Sequence, residues 1–340
     1  MHLLVIGFNY DDDATVERDM LEPGDTLEYF RRGQSHHITA ASREAADAVL
    51  LYSSVEHLAD PPGSYPRCRI AIRSGVGYDT LDLEGWGRRG VPVCNVPDYG
   101  TSEVADHAIA LMLALTRGTA TYQELLRADP TGGWRFAAAP LARRLRGTTF
   151  GVLGLGRIGT AAAMRARGFG MRVLFHDPYL SSGTELGVGF DRADSLEQLV
   201  AQSSVLSLHT PLSPETERLI GRAVLAHADP SLIIVNTARG PIIDLDALYD
   251  ALHEDRIAGA ALDVLPKEPA QPDHKLIRAW TSREPWLEGR LVLSPHAAFY
   301  SPEGIDDLRR KTVEVATDWL KHGKLRNCVN TAMLASPPKA

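Results

Sequence analysis

One stretch of the chain constrains its fold more than any other. An apolar run at 149–153 predicts a buried strand, glycines follow at Gly154, Gly156 and Gly159, and good helix formers fill 161–166. A strand, a G-x-G-x-x-G turn and a helix in this order are typical of dinucleotide-binding units. The first glycine allows the tight turn, the second lets the backbone approach a pyrophosphate, and the third lets helix and strand pack closely. The glycines alone are equally compatible with an ordinary turn between packed elements.

An acidic residue at the expected distance strengthens the nucleotide-binding interpretation. The apolar run 171–175 predicts the next strand, and Asp177 follows it, 177 − 156 = 21 positions after Gly156. The usual spacing is about 20 residues. A carboxylate at this point accepts hydrogen bonds from the adenosine ribose hydroxyls and repels a 2′-phosphate. We therefore expect NAD rather than NADP, although an aspartate before Pro178 could also simply form a turn.

Short apolar runs recur along the chain and predict its architecture. Such runs alternate with helical segments, which favours parallel sheets covered by helices. A length of 340 residues suits two domains. The sequence therefore predicts an α/β protein with doubly wound, Rossmann- or flavodoxin-like parallel sheets. The predicted strands are 3–6, 48–52, 69–73 and 90–95 in the first part of the chain, and 149–153, 171–175, 205–208, 232–235, 259–262 and 291–293 in the second.

Charge, cysteine content and apolar run length exclude several classes of protein. The net charge of −7 argues against a general nucleic-acid binder. Cys68, Cys94 and Cys328 are odd in number and lack C-x-x-C spacing, so we expect reduced thiols and no metal site. The apolar runs are too short for a signal peptide or a membrane span. These features predict a cytoplasmic protein with no membrane or nucleic-acid partner.

Two segments that are not strands matter for organisation. Residues 101–117 predict a helix that is apolar almost all round and is therefore buried. Residues 119–146 lack a clean period and carry Asp129-Pro130 and Gly132-Gly133. This second segment is either an arm onto a second subunit or a surface loop, and the sequence leaves both open.

Three ionisable residues follow predicted strands of the second part, namely Arg239, Glu268 and His296. Ligands bind at the carboxyl ends of the strands in such sheets. Histidine suits proton transfer near neutral pH, and a carboxylate on its other ring nitrogen stabilises the imidazolium. An arginine binds a substrate carboxylate through two hydrogen bonds and polarises the neighbouring carbonyl of the substrate. Together they predict hydride transfer to a 2-oxo acid, although each alone could be a turn, solvated or core residue.

Four ordered motifs make the chain resemble the D-isomer-specific 2-hydroxyacid dehydrogenases. The likeness covers about residues 69–330 and rests on 154–159, 235–240, 261–264 with Glu268-Pro269, and 294–297. It implies an NAD-dependent 2-oxo acid reductase that forms a homodimer and works in a cleft between two similar α/β domains. It also implies a discontinuous substrate domain, residues 1–98 and 297–340, and an NAD-binding domain, residues 99–296.

The resemblance assigns roles residue by residue. It implies that Arg239, Glu268 and His296 are catalytic. Implied substrate-binding residues are Arg73, Ser74, Gly75, Val76, Gly77 and Phe299. Implied cofactor-binding residues are Val104, Gly154, Gly156, Arg157, Ile158, Gly159, Asp177, His209, Thr237, Ala238, Arg239, Asp263 and His296.

A narrower likeness is to the C-terminal binding protein (CtBP-like) branch of this family. It rests on 94–97, 176–181, 296–301 and 327–330, and on Arg73 beside the substrate loop. The chain departs from the animal co-repressors at Phe299, where they carry tryptophan, and in lacking their long C-terminal extension. This likeness leaves one alternative from another class, an NAD(H)-sensing scaffold or regulator with little turnover. Oxidation of an inorganic or one-carbon anion is a further alternative, which Glu268 disfavours for formate-type chemistry.

Overall fold

The computed structural model describes residues 1–52 and 61–334. The chain divides into two compact units, a first unit of Met1–Gly100 with Ser301–Ala340 and a second unit of Thr101–Tyr300. Residues 53–60 and 335–340, which belong to the predicted substrate domain, lie outside the described residues. The strands are β1 His2–Phe8, β2 Thr26–Arg31, β3 Ala48–Leu51, β4 Ile70–Arg73, β5 Val93–Asn95, β6 Thr149–Leu153, β7 Arg172–His176, β8 Asp191–Arg192, β9 Val205–Leu208, β10 Ile233–Asn236, β11 Gly259–Leu262 and β12 Leu291–Leu293.

The helices alternate with these strands in both units. They are α1 Thr15–Arg18, α2 Ala40–Ala45, α3 Leu83–Arg88, α4 Thr101–Thr116, α5 Thr119–Ala128, α6 Arg157–Gly168, α7 Thr184–Val188, α8 Leu196–Gln202, α9 Arg222–Leu225, α10 Leu245–His253, α11 Lys275–Thr281 and α12 Pro302–His322. Within residues 1–52 and 61–334, no helix has the length and apolar character needed to cross a bilayer.

The first unit is built on a five-stranded parallel sheet in the order β2-β1-β3-β4-β5. Side chains of β1 alternate between the two faces, as the pleat of a strand requires. Leu3 and Val5 pack in the cluster that contains Trp319 of α12, and Leu4 packs on the other face with Trp86 of α3. The sheet is therefore covered on both faces, and the last long helix completes the core of the N-terminal strands.

The second unit is a seven-stranded parallel sheet in the order β12-β11-β10-β9-β6-β7-β8. Its central strands are buried along their whole length because helices cover both faces. Phe150 of β6 packs with α4 and α6, and Leu206 of β9 packs on the opposite face with α8 and α10. Strand order reverses between β6 and β9, and such a switch point opens a crevice at the carboxyl ends of the strands.

The structure confirms the predicted fold class and corrects several elements. The prediction missed β2 and β8, because β2 is half-exposed and mixes polar with apolar residues and β8 has only two residues. The strand expected at 90–95 begins only at Val93, because Gly90 has a positive φ of 70° and the N–H of Val91 bonds to Trp86. The segment without a clear period, 119–146, contains α5.

Candidate active site

The glycine turn between β6 and α6 has the geometry that a dinucleotide requires. Gly154 has φ of 87°, and a Cβ there would lie 2.9 Å from the backbone nitrogen of Thr210. A Cβ at Gly159 would lie 2.1 Å from the carbonyl oxygen of Gly154, so only glycine lets helix and strand approach this closely. A Cβ at Gly156 would meet no described atom within 4 Å. The turn is therefore closed where it packs and open where a pyrophosphate would approach.

The N-terminus of α6 opens onto this space. Gly156 is the N-cap residue and has no side chain with which to cap the helix. The N–H groups at Arg157 and Ile158 belong to the first turn, where an intrahelical acceptor does not exist. Free N–H groups and the positive end of the helix dipole favour a bound phosphate.

Asp177 follows β7 and is held beside the glycine turn. Its Oδ2 accepts a hydrogen bond from the N–H of Leu155 at 3.0 Å, and its Oδ1 accepts one from the N–H of Tyr179 at 3.0 Å. The side chain is half-buried. Each carboxylate oxygen keeps a lone pair for a further donor such as a ribose hydroxyl.

Two residues at the ends of β9 and β10 fit a bound cofactor. Thr237 is buried, and its Oγ1 has no hydrogen-bond partner within the described part of the chain. A buried hydroxyl without a partner is rare in folded proteins, and a ligand group would satisfy it. His209 bonds to Ser207 Oγ at 2.8 Å, and burial lowers its pKa to about 4. Its imidazole is therefore neutral at physiological pH.

The position of Arg239 is set by a turn that follows β10. Asn236 accepts a hydrogen bond from the N–H of Ala238 at 3.0 Å and donates from Nδ2 to the carbonyl of Arg239 at 2.9 Å. Gly240 packs so closely that a Cβ there would lie 1.9 Å from the carbonyl carbon of Leu265. The turn that carries Arg239 is therefore packed directly on the loop that follows β11.

His296 and Glu268 form a hydrogen-bonded pair at the ends of β11 and β12. His296 Nδ1 lies 2.7 Å from Glu268 Oε2, and the other Glu268 oxygen accepts from the N–H of Leu265 at 3.0 Å. Partial burial works to raise the pKa of Glu268, but the hydrogen bond and charge of His296 outweigh it and lower the pKa. The His296 and Glu268 side chains are 43% and 37% exposed, so a small molecule can reach the pair.

Asp263 holds the loop that carries His296. His296 adopts a positive φ of 53°, which L-residues rarely adopt, and its N–H bonds to the carbonyl of Asp263 at 2.7 Å. The buried Asp263 carboxylate accepts from the N–H groups of Ala297 at 2.9 Å and Ala298 at 3.0 Å. Both carboxylate oxygens are thus engaged with the loop, and Asp263 positions His296.

Two residues that support this loop, Ser294 and His107, were not predicted from the sequence. Ser294 Oγ donates to Asp263 Oδ1 at 2.6 Å and lies 2.9 Å from His107 Nε2, which comes from α4. The signals were a histidine in a largely apolar helix and a serine that follows a strand and opens the motif at 294–297. Neither signal predicts a partner, because the contact joins residues 187 positions apart.

In the first unit, the loop after β4 presents backbone donors. Gly75 has φ of 144°, its carbonyl accepts from the N–H of Val96 at 3.1 Å, and the carbonyl of Val76 accepts from Asn95 Nδ2 at 2.7 Å. The N–H groups of Gly75, Val76 and Gly77 donate to no residue within 1–52 and 61–334. Consecutive free N–H groups of this kind suit an anion.

Arg73 lies beneath that loop. Its Nη1 donates to the carbonyls of Leu51 at 3.3 Å, Tyr52 at 3.1 Å and, more closely, Ser74. Ser74 is buried, and its Oγ accepts from Thr312 Oγ1 of α12 at 3.0 Å. The guanidinium therefore supports the loop from below.

The remaining predicted residues occupy defined places in the second unit. Val104 is buried in α4, and the Phe299 ring meets the His296 ring edge-on at a centroid distance of 6.1 Å. Within this unit the structure brings Arg239, Glu268 and His296 to the carboxyl edge of one sheet, which is also the edge that carries the glycine turn. No cluster of metal-ligating side chains occurs within the described ranges.

Comparison with known proteins identifies this arrangement. Residues 109–298 match the family model described as D-isomer specific 2-hydroxyacid dehydrogenase, NAD binding domain. The glyoxylate reductase of Korarchaeum cryptofilum is 40% identical over 241 residues, which cover 70% of this chain and 69% of that protein. The chain belongs to the D-isomer specific 2-hydroxyacid dehydrogenase family. It is therefore an oxidoreductase that acts on CH–OH groups and binds NAD.

Two other relatives show how widely the likeness extends. The D-3-phosphoglycerate dehydrogenase of Archaeoglobus fulgidus is 34% identical over 284 residues, 84% of this chain but only 51% of that protein, so the chain spans about half its length. The structure of an NADPH-dependent glyoxylate/hydroxypyruvate reductase from Sinorhizobium meliloti, with NADP and malonate, superposes with a TM-score of 0.82 at 28% identity. The superposition covers 99% of this chain and 97% of the Sinorhizobium meliloti chain.

Proposed function

We propose that this protein reduces small 2-oxo acids to D-2-hydroxy acids with NADH. The observation that carries the proposal is the 2.7 Å contact between His296 Nδ1 and Glu268 Oε2, at the carboxyl edge of the sheet that carries the glycine turn. A histidine with one nitrogen bound by a carboxylate has its other nitrogen, Nε2, free to exchange a proton with substrate.

Each residue has one task in this scheme. When bound, the nicotinamide supplies the hydride. His296 donates a proton from Nε2 to the carbonyl oxygen, and the Glu268 carboxylate stabilises the imidazolium and keeps Nδ1 as the bound nitrogen. Arg239 binds the substrate carboxylate and polarises the carbonyl. Asp263 holds the backbone of His296 in its unusual conformation, so that the ring meets Glu268.

The substrate class follows from the loop of the first unit and from the relatives. The free N–H groups of Gly75, Val76 and Gly77 would bind a carboxylate, with Arg73 adding positive charge beneath them. The relatives include a glyoxylate reductase and a glyoxylate/hydroxypyruvate reductase. We therefore propose glyoxylate and hydroxypyruvate as the first substrates to test. Assignment of the first unit as the substrate domain and of the second as the NAD-binding domain is part of the same proposal.

NADH is the proposed form of the cofactor. The Sinorhizobium meliloti relative is NADPH-dependent, whereas the Asp177 carboxylate here lies beside the glycine turn. A negative charge at this point repels a 2′-phosphate and accepts hydrogen bonds from a free ribose hydroxyl.

The test follows NADH absorbance with glyoxylate, hydroxypyruvate, pyruvate, phenylpyruvate and 4-methylthio-2-oxobutyrate, with NADPH as a control. We expect turnover with NADH and the best kcat/KM with one of the two smallest polar acids. His296→Gln and Arg239→Gln should abolish turnover while NADH binding, followed by fluorescence, persists. Full activity in both variants would refute the assignment of catalytic residues. If NADH binds but none of the five acids is turned over, the result would favour an NAD(H)-sensing, CtBP-like scaffold or an unusual anion substrate.

We further propose that the protein is a homodimer and that residues 119–146 contribute to the interface. The segment following α5 exposes Trp134 by 80% and Phe136 by 93%. Large apolar side chains exposed close together are typical of protein interaction sites. The cytoplasmic location and the likeness to the C-terminal binding protein branch stay predictions of the sequence.

A further inference from the structure

Two cysteines of the first unit lie opposite each other across a pair of extended segments. Cys94 is in β5, and Cys328 pairs with it in an antiparallel bridge. The flanking hydrogen bonds run from the N–H of Val329 to the carbonyl of Val93 at 2.8 Å and from the N–H of Asn95 to the carbonyl of Asn327 at 3.2 Å. Cys94 and Cys328 are thus a non-hydrogen-bonded pair, for which Cα atoms lie about 4.5 Å apart. Disulfides span Cα separations from about 4.4 to 6.8 Å.

The segment that carries Cys328 is firmly attached to β5. Asn330 is 1% exposed, accepts from the N–H of Val93 at 2.8 Å and donates from Nδ2 to the carbonyl of Val91 at 3.1 Å. These bonds anchor the segment just beyond Cys328 and give the two thiols one register. The fold itself therefore places the two thiols opposite each other.

The surroundings of the two thiols make one of them reactive. Cys94 is fully buried and Cys328 is half-buried. A hydrogen bond from the Cys94 thiol lowers the pKa of Cys328, against the effect of burial, and raises the pKa of Cys94. The Cys328 Sγ also donates to Asn330 Oδ1 at 3.3 Å. Cys68 is also buried, and burial raises its pKa to about 12. Because Cys328 is partly exposed and Cys94 is fully buried, Cys328 is the thiol that an oxidant meets first.

We propose that Cys94 and Cys328 are a peroxide-sensitive thiol pair that closes reversibly into an intramolecular disulfide. The Cys328 thiolate attacks one oxygen of hydrogen peroxide, the O–O bond breaks, and Cys328 becomes a sulfenic acid while the departing hydroxide takes a proton to form water. The Cys94 sulfur then attacks the Cys328 sulfur, an S–S bond forms, and the S–O bond breaks. The hydroxide leaves with the Cys94 proton as a second water. Two thiols are oxidised by two electrons, and one peroxide is reduced.

The two residues that follow Cys94, Asn95 and Val96, contact the proposed substrate loop. Asn95 donates to the carbonyl of Val76 at 2.7 Å, and the N–H of Val96 bonds to the carbonyl of Gly75 at 3.1 Å. Closing the S–S bond draws Cys94 toward Cys328 and shifts the two residues that follow it. This consequence, unlike the disulfide itself, rests on the proposed function, and it should appear as a several-fold rise in KM for the 2-oxo acid with unchanged NADH affinity.

The chemical test treats the full chain with hydrogen peroxide, unfolds it in urea, alkylates the remaining thiols with iodoacetamide and identifies the products by mass spectrometry. The wild type and Cys68→Ser should each lose two alkylatable thiols and yield a linked peptide that joins Cys94 to Cys328. Dithiothreitol should restore both thiols. Cys94→Ser should instead accumulate a Cys328 sulfenic acid that dimedone traps, and Cys328→Ser should form no link. Full alkylation after peroxide, a link that involves Cys68, or a bond between two chains would overturn the proposal.

The activity arm separates this inference from the proposed function. Oxidised wild type should show the raised KM and recover with dithiothreitol, while Cys328→Ser treated in the same way keeps its KM. A disulfide that forms with unchanged KM would refute the link to the loop. An absence of turnover in the reduced protein would count against the proposed function, and the alkylation result would still decide the disulfide.

Discussion

At the scale of single residues, the proposed chemistry depends on the charge of Glu268. Its lowered pKa keeps the carboxylate ionised at neutral pH, where it stabilises the positive ring of His296. Glu268→Gln keeps the size but removes the charge, so we expect kcat to fall by about 100-fold or more, the usual contribution of acid–base catalysis. Steady-state kinetics with NADH measure the change. Lys267→Gln, on the exposed neighbouring residue, serves as the control and should retain kcat, and an equal loss in both variants would contradict the role of Glu268.

A second residue-scale prediction concerns Asp177 and cofactor choice. Asp177→Ser removes the negative charge beside the glycine turn while keeping a small hydrogen-bonding group. We expect the ratio of kcat/KM for NADPH to that for NADH to rise by about tenfold or more, which corresponds to about 1.4 kcal/mol. Parallel assays with the two cofactors test this. An unchanged ratio would show that the cofactor preference is set elsewhere in the chain.

At the scale of elements, helix α12 is joined to the N-terminal part of the first unit by a buried ion network. Arg309 is 5% exposed and donates to the fully buried Glu17 at 2.8 and 2.6 Å and to Asp12 at 2.6 and 2.8 Å. Arg309→Met leaves Glu17 as a buried, uncompensated charge. We expect the free energy of unfolding in urea to fall by about 3–5 kcal/mol.

The next residue of α12 is a matched control for this prediction. Arg310 pairs with Asp306 one turn earlier, and both side chains are 45% exposed. Arg310→Met should change the free energy of unfolding by less than about 1 kcal/mol, as expected for a surface ion pair. If the free energy of unfolding fell by similar amounts in the two variants, burial would not determine how much the Arg309 network contributes to stability.

The same network predicts a pH dependence of stability. Hydrogen bonds from Arg309 are the main reason that the pKa of Asp12 falls from 3.8 to about 2, with burial acting in the opposite direction. A folded-state pKa below the unfolded value stabilises the fold at higher pH, and this contribution is lost as pH falls through about 2. Asp12→Asn should therefore lower Tm at neutral pH, and the difference from wild type should shrink as pH falls below about 4. Calorimetry at several pH values checks this, and a constant difference would contradict it.

At the scale of the whole molecule, the proposed homodimer predicts that two exposed aromatic residues are needed for dimer formation. Trp134→Ser combined with Phe136→Ser removes two large exposed apolar side chains beyond α5. We expect the variant to shift toward monomer in sedimentation velocity while NADH binding persists. Leu186→Ser, equally apolar and 85% exposed on α7 of the same unit, should leave the oligomeric state unchanged. A wild-type monomer, or a dimer untouched by the double change, would refute the proposed interface.

The sequence by itself determined the fold class and the nucleotide-binding turn. Apolar strands between helices predict covered parallel sheets, and the roles of Gly154 and Gly159 follow from spacing, because a local turn is encoded by neighbouring residues. Arg239, Glu268 and His296 were predictable as candidates for the same reason, since each follows a buried strand closely. The edge strand β2 escaped prediction because both of its faces mix polar with apolar residues, and such a mixture gives a weak two-residue period.

Only the tertiary structure decided which distant residues meet. Nothing local in the sequence indicates that His107 reaches Ser294, that Asp263 engages the His296 loop with both carboxylate oxygens, or that Cys94 faces Cys328. These contacts depend on strand order, register and helix packing, which arise from burial summed over the whole core. Residues that follow a strand can be recognised from the chain alone, whereas the partner of each is set by the way the sheet and its covering helices assemble.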